Sequence, residues 1–259
     1  MIKKVLYQEL RPDEFIERVN ACPIAYLPLG TLEWHSLHLP YGTDMMIPLE
    51  MFKRYAARVG GVVLPPLYLG PDGTLEHDGE MYYGMDFYSF ENGHPKHLIG
   101  NMHYIPEPFY VQIIEYIIKN LKRSGFAALI VFGHGPSVDA LLRERERLEN
   151  QFEMKIHSLT DFCGEGPEGR MPGDHAAFYE TAMFMALCPE SVDLTLLPDD
   201  KPPISVWGHD PRAGAVKEEG ERLIALYEEQ AVFKLIELAK TLPKPNLTLE
   251  YHQIKDLRY

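Results

Sequence analysis

The sequence predicts an α/β protein: a single layered domain with a mainly parallel sheet covered by helices on both faces. Two kinds of segment carry that prediction. Ala127–Phe132 (AALIVF) is six apolar residues in a row ending at Gly133, without the alternation of a strand that is polar on one face, so helices should cover both its faces. Tyr110, Ile113, Ile114, Ile117, Ile118 and Leu121 instead follow the i, i+3, i+4, i+7 spacing of one helical face. Alternation of the two kinds along the chain is the mark of strand–helix–strand units.

Taken in order, Ile24–Leu29 (IAYLPL) reads as a short buried strand ending at Gly30. Gly61–Leu67 (GVVLPPL) reads as another, shortened or pushed to an edge by its two prolines. Gly125 should stop the Tyr110–Leu121 helix just before the Ala127 strand. Pro136 suits the first turn of a helix running to about Asn150, whose RERER run (Arg143–Arg147) reads as a solvated face. Lys155–Leu159 is a weaker fourth strand. Leu223, Leu226, Tyr227, Leu235, Leu238 and Leu242 mark a long C-terminal helix ended by Pro243 and Pro245. The segment Pro71–Pro108, rich in Gly, His, Tyr and Met, is the least regular, and a loop that long in a compact domain is expected to be a functional lid or subunit contact.

Composition narrows the function. The 259 residues carry 25 Lys+Arg against 38 Asp+Glu, a net charge of −13, which is the wrong sign for a phosphate-binding stripe or for docking on anionic lipid. Three dispersed cysteines (Cys22, Cys163, Cys188) exclude a disulfide framework and an all-cysteine zinc site. The start, MIKKVLYQEL, lacks the apolar core of a secretory signal, and no apolar run approaches ~20 residues, so the expectation is a cytoplasmic protein without a membrane span. Eleven histidines make histidine the residue type to follow.

Ligands of open α/β sheets sit beyond the carboxyl ends of the strands. After Ile24–Leu29 comes Gly30-Thr-Leu-Glu33-Trp-His35-Ser-Leu-His38-Leu-Pro-Tyr-Gly-Thr-Asp44; after Ala127–Phe132 comes Gly133-His134-Gly135. Two strand ends thus present Glu33, His35, His38, Asp44 and His134, all of metal-ligand type. In extended chain Glu33 and His35 point to one side, and Asp44 lies near the start of the next helix, where the dipole stabilises a carboxylate. A carboxylate can bridge two cations ~3.5–4 Å apart, and imidazole with carboxylate, without thiolate, suits Zn, Mn, Fe or Ni better than Ca.

The Gly30–Asp44 run resembles the signature G-[ST]-x-E-x-H-G-x-H-L-P-x-x-T-D of the creatininase (creatinine amidohydrolase) family. Val131-Phe-Gly133-His134-Gly135 is similar to that family's second motif, N-G-H-G-G-N. Asp174-His175-Ala-Ala-Phe-Tyr-Glu180-Thr181, continuing to Glu190, is similar to its third. The blocks fall in family order from Ile24 to Glu190. The resemblance implies one creatininase-like domain over 1–259 with a long insert at about 71–108. It implies a metal-dependent hydrolase of C–N bonds in a small polar amide (cyclic amide, lactam or formamide), assembled as a homo-oligomer, commonly a hexamer. By the family's pattern Glu33, His35, Asp44 and His134 are metal ligands, with Asp44 bridging, for one or two divalent ions (Zn, Mn or Fe) per subunit. His175 carries the family's proton-donating histidine, Glu180 lies at or just behind the metal shell, and Asp174 would orient the His175 ring or raise its basicity.

The chain also departs from the pattern. Ser36 stands for a glycine and Phe132 for an asparagine, and Pro136 and Ser137 replace Gly-Asn. Creatininase proper has a glutamate ligand at the position of Pro136, so Glu180, Asp139 or a residue of the insert must supply a carboxylate if two ions bind. The creatinine enzymes line their pocket with tryptophans; this chain has only Trp34 and Trp207, with Met171 near where one is expected, so creatinine itself is not the expected substrate. The insert, with His77, His94, His97, His103 and the tyrosines Tyr82, Tyr83, Tyr88 and Tyr104, and Tyr110 at its edge, is expected to reshape the pocket. Two other readings compete. One is a degenerate, non-catalytic family member that binds a small metabolite. The other is a serine hydrolase using Ser137 or Ser36, against which stands the lack of a G-x-S-x-G elbow.

Overall fold

The computed structural model describes residues 4–89, 94–102, 104–163 and 173–249; Met171 and His103 lie outside them. Helix α1 (Pro12–Ala21) leads into strand β1 (Ile24–Leu29), followed by α2 (Thr43–Arg58) and β2 (Val62–Val63). A hairpin, β3 (Thr74–His77) and β4 (Glu80–Tyr83), precedes α3 (Glu107–Arg123) and β5 (Ala128–Gly133). Then come α4 (Gly135–Arg143), α5 (Arg145–Phe152), β6 (Lys155–Ser158), α6 (Phe178–Leu187) and the long α7 (Lys217–Thr241).

The main sheet has the order β2-β1-β5-β6 and is parallel throughout, with helices on both faces as expected. Strand pleating explains the two cores. Ile24, Tyr26, Ala128 and Ile130 face Met51 and Phe52 of α2, Phe184 of α6, and Tyr227 and Leu235 of α7. Ala25, Leu27, Leu129 and Val131 face Tyr110, Ile114 and Ile118 of α3 and Leu141 of α4. The two prolines after Val63 do end β2 early and leave it at the sheet edge. Gly125, at φ +90°, terminates α3 as expected.

The helix expected from Pro136 to Asn150 is instead two, broken at Glu144. The break falls inside the RERER run, where no apolar side chain holds the backbone to the sheet. There Arg143 pairs with Glu107, Arg147 with Glu115, and α5 re-enters the core at the fully buried Leu148.

The order places the site. From β1 the chain crosses to β2 on one side, and β5 lies on the other. The helix after β1 packs on one face and the helix after β5 on the opposite face. The loops leaving β1 and β5 therefore diverge, opening a crevice at the topological switch point. Leu29 pairs with Gly133 at the strand ends, so the two sequence motifs emerge side by side. The 71–108 segment, called the insert below, returns to this edge: Met102 N–H donates to Leu32 O at 3.0 Å and Ile105 N–H to Gly70 O at 3.0 Å. Among the described residues, no helix is long and apolar enough to cross a membrane.

Candidate metal centre

Glu33, His35 and His134 are buried and converge with Asp44 at the switch point. Asp44 sits in the first turn of α2, as its position predicted, and has donor atoms close to two groups of side chains. On one side His35 Nε2 lies 3.7 Å from Asp44 Oδ2 and 3.6 Å from Glu180 Oε2. On the other, His134 Nε2 lies 3.7 Å from Glu33 Oε1 and 3.5 Å from Asp72 Oδ2. The last residue belongs to the insert. His175 joins from a third direction, with Nδ1 3.6 Å from Glu33 Oε1 and its ring centroid 4.1 Å from that of His35.

Each imidazole has one nitrogen committed, which sets the other. His35 Nδ1 lies 3.1 Å from the Glu33 carbonyl, and His175 Nε2 lies 2.9 Å from the Trp34 carbonyl. A carbonyl only accepts, so these nitrogens carry the protons. Ser137 Oγ donates to Gly30 O at 3.1 Å and so accepts from His134 Nδ1 at 2.9 Å. The nitrogens left with lone pairs, His35 Nε2, His134 Nε2 and His175 Nδ1, are those that face the carboxylates. This is how neutral imidazoles are prepared to bind a cation.

The charge balance points the same way. Burial, with Asp44 and Asp72 beside it, pushes the Glu33 carboxyl well up; burial and then Asp44 do the same to Glu180. Burial also raises Asp44, but His35, His134 and His175 in their protonated forms outweigh it and hold that carboxyl below the usual range. Burial and the neighbouring His175 bring His35 down to about 3, so it is neutral near pH 7. His35 Nε2 and Asp44 Oδ2 are buried with no hydrogen-bond partner among the described residues. Unpaired buried polar atoms are costly, and crowded carboxylates repel. A divalent cation would relieve both, and the nitrogen and oxygen donors present are those zinc, manganese or iron accept.

Other expected residues are placed differently. His38 bonds Thr181 Oγ1 through Nε2 at 2.9 Å and joins none of these groups. The Asp174 oxygens accept from Tyr179 N–H at 2.8 Å and Glu180 N–H at 3.0 Å. They thereby satisfy the open first turn of α6, so Asp174 acts on the helix that carries Glu180 rather than on the His175 ring. Pro136 is exposed at the start of α4, and Asp139 is exposed on the same helix. The carboxylates that do approach are Glu180 and Asp72. No sequence motif marks Asp72, although it follows the exit of a strand: Leu67 bridges Leu29, and Gly70-Pro-Asp72-Gly comes next. Ser36 has φ +57°, the left-handed region that favours glycine, at a cost of roughly 1–2 kcal/mol for an L residue.

Beyond Glu33 and Asp72 opens a cavity of about 400 Å³. Its far wall is the insert, with Tyr83 and Tyr104 (rings 4.5 Å apart), Asn101 and Met102. That size suits a small metabolite.

A switch-point cleft lined by oriented imidazoles and carboxylates, without a thiolate, makes this an α/β protein with a candidate site for a hard-to-borderline divalent cation. The comparisons make this specific. Residues 8–232 match the creatininase family model, described as creatinine amidohydrolase, and the chain belongs to that family. It is 29% identical over 235 residues to a creatinine amidohydrolase of Pseudomonas putida, covering 82% of this chain and 84% of that one. It is 22% identical over 232 residues to a 3-dehydro-scyllo-inosose hydrolase of Thermotoga maritima, covering 81% of this chain and 65% of the relative. A crystal structure of creatinine amidohydrolase superposes with a TM-score of 0.70 at 23% identity, over 92% of this chain and 98% of that one. A manganese form of creatininase superposes with a TM-score of 0.66 at 24% identity, covering 92% and 99%.

Proposed function

We propose that this chain is a metal-dependent hydrolase that cleaves the C–N bond of a small polar amide, a cyclic amide, lactam or formamide. The observation that carries the reading is the pair of buried, unpartnered atoms His35 Nε2 and Asp44 Oδ2, set among imidazoles whose outer nitrogens are already committed. Glu33, His35, Asp44 and His134 would hold the metal, with Asp44 between two subsites, Glu180 beside His35 and Asp72 beside His134. When bound, one or two divalent cations supply an acidified water, its pKa lowered from 15.7 toward ~7, and a Lewis-acid pull on the carbonyl.

The chain's own residues do the rest. His175 keeps a proton on Nε2 against the Trp34 carbonyl, so Nδ1 is the atom free to accept a proton from water and pass it to the leaving nitrogen. Amide nitrogen leaves poorly unless protonated, and such a group contributes ~10²–10⁴-fold. Glu180 is held by Ala176 N–H, which donates to its Oε2 at 2.6 Å, and Asp174 fixes the turn that carries it. Tyr83 and Tyr104 give the cavity an aromatic wall in place of tryptophan.

The test joins metal analysis with a panel of lactams and formamides. Wild-type protein should hold stoichiometric divalent metal and turn over a member of the panel. Asp44→Asn should lose the metal and on the order of 10³-fold or more in rate. His175→Ala should keep the metal and lose the rate. Stoichiometric metal without turnover of any amide would favour a binding protein, and wild-type protein that never retains metal would end the reading.

A further inference from the structure

A second group of ligand atoms lies away from the cleft, at the tip of the β3–β4 hairpin. His77 Nε2 and His94 Nδ1 are 3.1 Å apart, and Asp78 Oδ2 is 3.6 Å from each. The same three atoms make all three contacts. The circle through them has a radius of about 2.0 Å, which matches the ~2.0–2.2 Å bonds of zinc to histidine nitrogen and aspartate oxygen. An ion near the centre of this triangle would touch all three atoms and leave its outer side to water.

Local structure holds the donors in place. Asp78-Gly79 is the two-residue turn of the hairpin, with φ +52° and +80°, the left-handed pair that matches the twist of the flanking strands. His77 is therefore fixed by the ladder and Asp78 by the turn, while His94 comes from the returning limb of the insert. Without an ion, one proton serves the two imidazoles, and the carboxylate stands beyond hydrogen-bond distance of both.

We infer that His77, Asp78 and His94 form a structural binding site for a zinc-like divalent cation that clips the hairpin to the returning limb. Three residues beyond His94, His97 stacks on Tyr82 (centroids 4.4 Å apart, planes at 12°), and Asn101, Met102 and Tyr104 follow in the cavity wall. The clip thus ties the hairpin, which carries Tyr83, to the limb that leads into the rest of that wall. It does not depend on catalysis at the buried centre.

Zinc itself is the probe. In a His35→Ala/Asp44→Asn background, titration against a chromophoric chelator should still fill one site per chain, and adding His94→Ala should abolish it. In the otherwise native chain, His94→Gln, at an exposed position, and His77→Ala, at a half-buried one, should each bind one zinc fewer than wild type. Zinc should also slow amide exchange at residues 94–98 in wild type and not in His94→Gln. Equal zinc counts with and without His94 would overturn the site and leave a hydrogen bond between two imidazoles; this second series decides the matter even if the double-variant background does not fold.

Discussion

The loops leaving β1 and β5 and the insert that carries the hairpin face the same cleft, yet they hold their groups by different means. Glu33, His35 and His134 stand within a few residues of two paired strands, and Asp44 lies in the first turn of the helix that follows β1. Asp72 belongs to the insert: its carboxylate accepts from Gly73 N–H at 2.7 Å and fits because Gly84, at φ +54°, offers no side chain. The first arrangement is as rigid as the sheet. The second is as adjustable as the packing of one loop on another, so a family can change it without disturbing the fold.

The largest effect that separates the two is in stability. At Gly133, with φ +137°, a Cβ would lie well inside the radius of the Leu29 carbonyl oxygen and 2.8 Å from that of Asp44. Both obstacles are backbone, so Gly133→Ala should cost about 4 kcal/mol, near the top of the range for single substitutions. For a chain of this size that is a fall of roughly 8–16 °C in Tm. At Gly79, in the hairpin turn, the space is open and only the φ of +80° opposes a side chain, so Gly79→Ala should cost about 1 kcal/mol. Equal shifts at the two positions in thermal unfolding would break the comparison.

The next effect reads the insert directly. Asp72→Asn keeps the shape and removes the charge beside His134; it should weaken metal binding by about 10–100-fold with Tm nearly unchanged. Gly84→Ala should act in the same direction, since its Cβ would displace Asp72 Oδ2. Unchanged affinity in Asp72→Asn would assign Asp72 to the cavity rather than to the metal.

The same contrast explains what the sequence made legible. The strands at 24–29 and 128–133, and the face of α3, declare themselves because burial on a regular element repeats with its period. The convergence of Glu33, His35, Asp44 and His134 is legible because loops that leave the ends of neighbouring parallel strands open on one crevice. Asp72 was not legible, because its approach depends on Gly84 twelve residues later, and that contact has no periodicity. Extending the strand-end rule to the third exit, after Leu67, would have found it. The break at Glu144 was hidden for a different reason: a mixed-charge run is compatible with a continuous helix, and only the position of Leu148 against the sheet decides otherwise. Asp174 beside His175 looked like a partner for the ring, but adjacency in sequence does not say which way a carboxylate turns at a helix start.

The smallest effect tests the strand-end side from behind. Ser137 is fully buried, donates to Gly30 O and accepts from His134 Nδ1, so it fixes the tautomer that leaves His134 Nε2 bare. Ser137→Ala removes that restraint and leaves two polar groups unsatisfied. Metal affinity should fall about tenfold, the lower end for a group that orients a ligand, and stability by roughly 1–3 kcal/mol. Hydrolysis at saturating metal should fall no more than the site's occupancy does. A serine nucleophile paired with His134 predicts the opposite pattern, metal affinity intact and activity gone, so one variant assayed for both separates an orienting hydroxyl from a reacting one.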